Sequence, residues 1–301
     1  MEVIYRVFEN NRPEFKAELD RVGFPHKYEE NIVGKTIFFE ISDNNPVWPV
    51  ISEIMTRLDI KSTPQTKFSE REIKEAHWLS ICCTSHFGYP QPEDGYDRLT
   101  YDPSDYCPTC GIGGVQKVPF RFKSEPKAKR SSFLQMNWVF DEFFIRPEVR
   151  ELFEENGITG IDYLPCIHHK NNKILDSIEQ LRILSVLPPG LIIGGLNTVT
   201  CKIDNEESRH LPKTWQPKFP NKIPHCGRVK YHYPKPGPTI YCENAFRNAP
   251  DIIKSFEWFG SGGSAWREVI VSQKVASIIL KQKFRGISLT PVLLTSCLEN
   301  T

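Results

Sequence analysis

Two stretches, "PEVRELFEENGITGIDYLPC" beginning at Pro147 and "SQKVASIILKQKFRGISLTPV" beginning at Ser272, align without a gap and constrain the fold more than any other feature. Val149 falls on Val275, Leu152 on Ile278, Phe153 on Ile279, Gly160 on Gly286, Ile161 on Ile287 and Pro165 on Pro291. The apolar residues recur at i, i+3 and i+4, which puts them on one face of a helix. Pro147 and Ser272 suit a helix start. A glycine that ends the helix and an alternating strand complete each copy.

Further anchors occur upstream in the same order. "QMNW" at Trp138 matches "SFEW" at Trp258, with the glycine-rich "GSGGSAW" inserted after the second, "CPTCG" matches "IPHCG", and "LSICC" ending at Cys83 matches "TVTC" ending at Cys201. The ordered series predicts a duplication with units at residues 76–195 and 196–301. Residues 1–75 read as a separate small α/β unit: strand "VIYRVF", helix "PEFKAELDRV", strand "KTIFFEI" and a helix near "VISEIMTRL". The expected fold class is α+β, with this N-terminal unit followed by two repeated units of zinc knuckle, strand, helix and strand. Ser69 and Glu72 stand at capping-box spacing, so a short helix runs into a strand over Leu79 to Cys83.

The cysteine pattern carries the sharpest chemistry. In "CPTCG" the two-residue spacer turns Cys107 and Cys110 inward together, and thiolates suit a tetrahedral zinc ion. "IPHCG" keeps the proline, Cys226 and the glycine, but holds Ile223 where the first cysteine belongs. If "RVKYHY" and "TIYC" pair as a hairpin around "PKPGP", Cys242 returns beside Cys226 as the fourth ligand. His225 and Cys201 are the reserve ligands. Three thiols and a fourth donor leave no open position, so the zinc is expected to be structural, pinning the two units together.

Other candidates read as ordinary structure. Alternation buries one of Cys82 and Cys83 and exposes the other. His168 and His169 follow the first repeat strand without the acids or spaced Asn of a nuclease motif, so a polar loop is expected there. Asp141 and Glu142 are neighbours on a strand and should face opposite ways, one solvated and one hydrogen-bonded. "GSGGSAW" lacks the lysine and following helix of a phosphate loop. No catalytic set emerges; a hydrolase would need His86, His168 or His169 to converge with a carboxylate.

With 38 Lys and Arg against 37 Asp and Glu, the chain has no global pull toward nucleic acid or anionic membrane. Locally, residues 117–130 and 208–242 are basic and interleaved with aromatic rings. Arg121, Lys123, Lys127, Arg228, Lys230, Tyr231 and Tyr233 are therefore candidate contacts to single-stranded nucleic acid, although a solvated strand face beside a zinc site is the favoured reading, since the overall charge balance gives no support from elsewhere. The opening residues lack a signal-peptide pattern, and the most apolar stretch, "ILSVLPPGLIIGGL", is too short and too broken to span a bilayer. Nine cysteines without an export signal point to reduced thiols and metal ligands in a cytoplasm, and no membrane association is expected.

"CPTCG", the altered "IPHCG", and the endings "FEENGITGIDYLP" and "ILKQKFRGISLTPV" resemble a bacterial family described by a double C-x-x-C-G motif. Its members are treated as immunity proteins that neutralise a cognate secreted toxin. The resemblance covers about residues 76–295. It implies a non-enzymatic, zinc-stapled protein that occludes a partner's surface. A nucleic-acid-binding protein using the two basic stretches is the alternative.

Overall fold

Residues 1–31, 34–127, 131–201, 226–232 and 236–297 are described by the computed structural model. They divide into two units, the first being Met1–Glu72 with a short segment around Gly237, whose amide donates to Thr66 Oγ1 at 2.7 Å. Its elements are β1 (Glu2–Asn10), α1 (Pro13–Arg21), β2 (Lys27–Asn31), β3 (Gly34–Ser42), α2 (Trp48–Arg57) and β4 (Ser62–Lys67). The sheet order β2-β3-β1-β4, antiparallel throughout, is the β-α-β-β-α-β arrangement of ferredoxin-like units. Phe15 and Leu19 of α1 and Ile51, Ile54 and Met55 of α2 bury one helix face each against Val7, Ile37, Phe39 and Ile41 of the two central strands. Strands β2 and β4, "KYEEN" and "STPQTK", are polar because they are the sheet's edges, where few side chains face the core.

A capping box at the junction starts α3 (Glu70–Glu75): Glu72 N–H donates to Ser69 Oγ at 3.2 Å and Ser69 N–H to Glu72 Oε2 at 2.8 Å. The second unit continues with β5 (Trp78–Cys83), α4 (Tyr96–Thr100), β6 (Tyr101–Asp102), β7 (Val115–Gln116), β8 (Arg121–Phe122), β9 (Phe133–Leu134) and β10 (Phe143–Ile145). Then come α5 (Pro147–Glu155), β11 (Ile161–His168), β12 (Ile174–Ile183), β13 (Thr198–Thr200), β14 (Val229–Tyr231) and β15 (Thr239–Cys242). A 3-10 turn at Glu243–Phe246 leads to β16 (Ile252–Phe259), β17 (Trp266–Ser272), α6 (Gln273–Lys281) and β18 (Ile287–Thr295). Among the described residues, no helix is long and apolar enough to cross a membrane.

Two larger sheets result, ordered β8-β11-β12-β10-β9 and β13-β14-β16-β17-β5-β18-β15. Helix α5 follows β10 and leads to β11; helix α6 follows β17 and leads to β18. In each sheet the two strands flanking the helix are separated by a third that pairs antiparallel with both. The register is the same at both. Leu181 of β12 faces Phe143 and Tyr163, as Ile81 of β5 faces Val269 and Leu289. Phe133 faces Ile145, as Ile252 faces Val271. These residues meet Val149 and Phe153 of α5 and Val275 and Ile279 of α6 in one buried core. The middle strands differ in origin: β5, the first strand of this unit, lies between the strands of α6 far downstream, whereas β12 follows β11 directly and lies between the strands of α5.

Gly160 and Gly286 do not end their helices, as the spacing had suggested. Gly157 and Lys283 do so, each at a positive φ (57° and 53°), and each helix is closed by an amide bond back to its last turn. Gly160 and Gly286 instead have φ of 88° and 89° at a point of close backbone approach. A Cβ on Gly160 would collide with the Ile252 carbonyl, and one on Gly286 with the Phe133 carbonyl. The glycines therefore let each helix–strand segment sit against the hairpin of the other: Ile252 N–H donates to Thr159 O at 3.1 Å and Phe133 N–H to Arg285 O at 3.1 Å. Gly160→Ala and Gly286→Ala are each expected to destabilise the protein by about 2–4 kcal/mol, from left-handed strain plus the backbone clash. Thermal unfolding of the two variants beside Gly194→Ala, where nothing lies within 4 Å of the added methyl, checks this.

Candidate metal centre

The loop from β6 to β7 turns sharply at Cys107-Pro-Thr-Cys110-Gly111. Cys107 N–H donates to Ile112 O at 2.8 Å, and Gly111 N–H returns to Cys107 O at 2.8 Å. The same pair of bonds recurs at the end of β13: Cys201 N–H donates to Arg228 O at 2.9 Å, and Gly227 N–H to Cys201 O at 3.2 Å. Gly111 and Gly227 share a left-handed φ (78° and 71°). Cys201 thus stands to Cys226 as Cys107 stands to Cys110, with residues 202–225 placed between the two members of the second pair. Cys201 has in this turn the place that Cys107 has in the first, and Ile223 lies outside the described residues.

The four sulfur atoms lie within 4.8 Å of one another. Cys107 Sγ is 3.9 Å from Cys201 Sγ and Cys110 Sγ is 3.6 Å from Cys226 Sγ. The edge of a sulfur tetrahedron around an ion with 2.3 Å metal–sulfur bonds is about 3.8 Å, so the set fits a four-coordinate soft ion without rearrangement of the turns. Cys107, Cys110 and Cys201 are buried and Cys226 is exposed. A hydrogen bond from the Cys110 thiol, backed by the amides of Cys110 and Thr109, pulls Cys107 down to about 4 against the effect of burial. Burial pushes Cys201 up, opposed by the Cys226 amide, which has the same place in its turn as the Cys110 amide. Thiolate-directed amides at both turns are the surroundings a metal-bound sulfur requires. Among the described residues this is the one group of three or more His, Cys, Asp or Glu side chains able to share an ion.

Cys242, expected as the fourth ligand, stands apart from this group. It ends β15, which pairs in parallel with β18 rather than with β14, and it is disulfide-bonded to Cys297 with Cα atoms 5.5 Å apart, so these two are neither the reduced thiols nor the metal ligands expected of the nine cysteines. The hairpin that was to return it to Cys226 does not form, because β14 pairs with β13 and β16. His225 lies outside the described residues, as does Tyr233.

Lys230 and Arg228, read from sequence as nucleic-acid contacts, are committed elsewhere. Lys230 is 2% exposed, and its ammonium donates to three carbonyls: Cys110 at 3.1 Å, Gly262 at 2.6 Å and Ser264 at 3.0 Å. Arg228 bonds Asp105 Oδ2 at 2.9 Å, Asp105 O at 2.6 Å and Ile112 O at 3.2 Å. Four thiolates and a divalent ion carry a net charge of minus two, so two cations tied to the adjoining backbone complement the cluster. Tyr231 packs on Phe259. Arg121 bonds Asn172, while Lys123 and Lys127 are exposed. The "GSGGSAW" stretch is the turn of the β16–β17 hairpin, and Gly111 lies so close to Gly263 and Ala265 that a Cβ there would meet backbone. Its glycines give room for the first cysteine turn.

Asp141 and Glu142 do not face opposite ways. Both point inward to Lys254, whose ammonium is 3.2 Å from Asp141 Oδ2 and 2.6 Å from Glu142 Oε1; Gln180 donates to Glu142 Oε2 at 2.8 Å. The pair precedes β10, where the backbone is not yet extended and side-chain alternation does not hold. Cys82 is exposed and Cys83 buried, the latter donating to Gly286 O at 2.9 Å, with burial pushing its thiol up to about 11. His168 ends β11 and His169 begins the turn after it, while His86 forms a bridge to Gln135. No family model and no curated protein sequence matches the chain.

Cys201→Ser is expected to lower metal affinity at least about tenfold and thermal stability with it, because three thiolates cannot close the site. Cys242→Ser should keep full metal content. Elemental analysis of the purified variants checks both.

Proposed function

We propose that the chain is a non-enzymatic binding protein in which Cys107, Cys110, Cys201 and Cys226 hold a structural zinc ion. The observation that supports this best is the donor set itself. Four sulfurs occupy every position of a tetrahedron, leaving none for water or substrate, whereas catalytic zinc keeps one position open and usually has histidine or carboxylate ligands. Iron suits the same sulfur set, and colour separates the two: a colourless protein with one zinc agrees with the proposal, and a red protein containing iron overturns it.

We further infer that residues 78–168 and 174–295 are two copies of one ancestral segment. Each runs strand, cysteine turn, hairpin, helix, strand, and each gives its first strand to the sheet of the other. On this reading the boundary lies between His168 and Ile174, not at 195/196, and the strand equivalent to β5 is β12. The equal registers around Ile81 and Leu181 are the support.

The partner proposed is a cognate secreted toxin, met in the cytoplasm and neutralised by surface occlusion. The support is the resemblance to the double C-x-x-C-G family, strengthened by a second turn that has both cysteines and its glycine. Such a protein works through shape and charge complementarity rather than a reacting group. The nucleic-acid alternative is weakened by the inward commitment of Lys230 and Arg228. Co-expression with the toxic product of the adjacent gene should restore growth and yield a co-purifying complex. Growth arrest in both the presence and the absence of this chain sinks the proposal.

A further inference from the structure

Beside Lys254 and the acids it holds, the second unit opens into a cleft of about 270 Å³. One wall is the end of β12 and the segment after it, from Arg182 to Val186; another is Lys254 and Trp258 of β16 with Arg267 of β17. Leu184 and Val186 are exposed here, 55% and 46%, and give the cleft an apolar rim. The volume is close to the roughly 300 Å³ at which small-molecule sites begin, and an apolar lining with a few placed polar groups is their usual chemistry.

The hydrogen bonds already made in this cleft select the ligand. Its acids are engaged: Asp141 takes Lys254 Nζ and the Arg267 amide at 3.2 Å each, Glu142 takes Lys254 at 2.6 Å and Gln180 at 2.8 Å, and Asp105 takes Arg228 at 2.9 Å. Its arginines are not. Among the described residues Arg182 has no hydrogen bond and no ion pair; Asp162, opposite it on β11, accepts the Tyr163 amide instead. The Arg267 guanidinium donates once, to Ser255 O at 2.8 Å. At full charge Lys254 and Arg267 balance Asp141 and Glu142, and Arg228, from outside the lining, balances Asp105; Arg182 is then the cation in excess.

Arg267 is also held ready. Its guanidinium lies 4.5 Å over the Trp258 ring and 5.9 Å over that of Phe256, which fixes its plane. Glu257, between those two residues, is turned to the Gly190 and Leu191 amides. Burial pulls Arg267 below its ordinary value, and the charges of Asp141, Glu257 and Asp105 do not restore it. A carboxylate completes such a group, because its two oxygens match the guanidinium fork. A single charge suits the cleft, since a dianion such as phosphate would set a second one beside Asp141 and Glu142.

We propose that this cleft binds a singly charged organic carboxylate, with Arg182 and Arg267 as its donors and Leu184 and Val186 against its apolar body, supplied by a small free acid or by an acidic side chain of another protein. The site depends on neither the metal nor the toxin proposed above. The test is a titration of the full chain, by tryptophan fluorescence and calorimetry, with 4-methylpentanoate, its neutral amide 4-methylpentanamide, Nα-acetyl-glutamate α-amide and inorganic phosphate. Saturable binding of the carboxylates is expected, with the neutral amide at least about tenfold weaker. Tighter binding of 4-methylpentanoate than of the glutamate probe assigns a free acid, and the reverse order a side-chain ligand. Arg182→Gln removes no bond among the described residues, so it should keep the native circular dichroism and melting temperature while weakening carboxylate binding about tenfold. An absent saturable response, equal binding of the neutral amide, phosphate bound as tightly as the carboxylates, or unchanged binding in Arg182→Gln overturns the proposal.

Discussion

The insertion of β5 between β17 and β18 is the constraint on which the second unit depends. β12 follows β11 directly and completes the sheet around α5 locally, whereas α6 has its apolar face buried only when β5, far upstream in the chain, has entered the sheet between the strands that flank it. The β5 pairing is non-local, and its loop-closure cost precedes any reward from burial. Once formed it leaves little scope for partial opening, since removing either middle strand separates two others. Gly160 and Gly286 belong to the same device, because each admits the partner hairpin where a side chain would hold it away.

The cysteine cluster links the same two stretches a second time. Cys107 and Cys110 come from one, Cys201 and Cys226 from the other, so an ion held by all four closes a loop the sheets have already defined. Metal affinity and folding would then be coupled, the binding energy of a tetrathiolate site adding to the stability of the fold. The adjoining charges suit this role. A buried lysine is costly unless fully bonded; Lys230 meets three carbonyls, one of them from Cys110 itself, and offsets the charge that four thiolates bring.

What could be read from the residues follows from how local each signal is. Helices α1, α2, α5 and α6 and the strands beside them have an apolar period, and the Ser69–Glu72 box is three residues wide; all were legible. Strands β2 and β4 were not, because polar edge strands have no alternation to detect. A match of a few letters sets Cys201 opposite Cys83, whereas in the structure it is Leu181 of β12 that has the register of Ile81 of β5. A cysteine pair interrupted by 202–225 has no fixed spacing for the eye to find; only the shared amide bonds around Cys107 and Cys201 show that they are equivalent. Lys230 is illegible for a similar reason: a lysine on a solvated strand face, one at a phosphate and one buried among three carbonyls have the same letter.

A small cavity and the cysteine turns share their walls. Gly111, directly after Cys110, and Gly263 and Ala265, against which it packs, all line the cavity, and Trp258 packs on both it and the sulfur cluster. The backbone that positions the thiols is therefore the backbone that shapes the cavity.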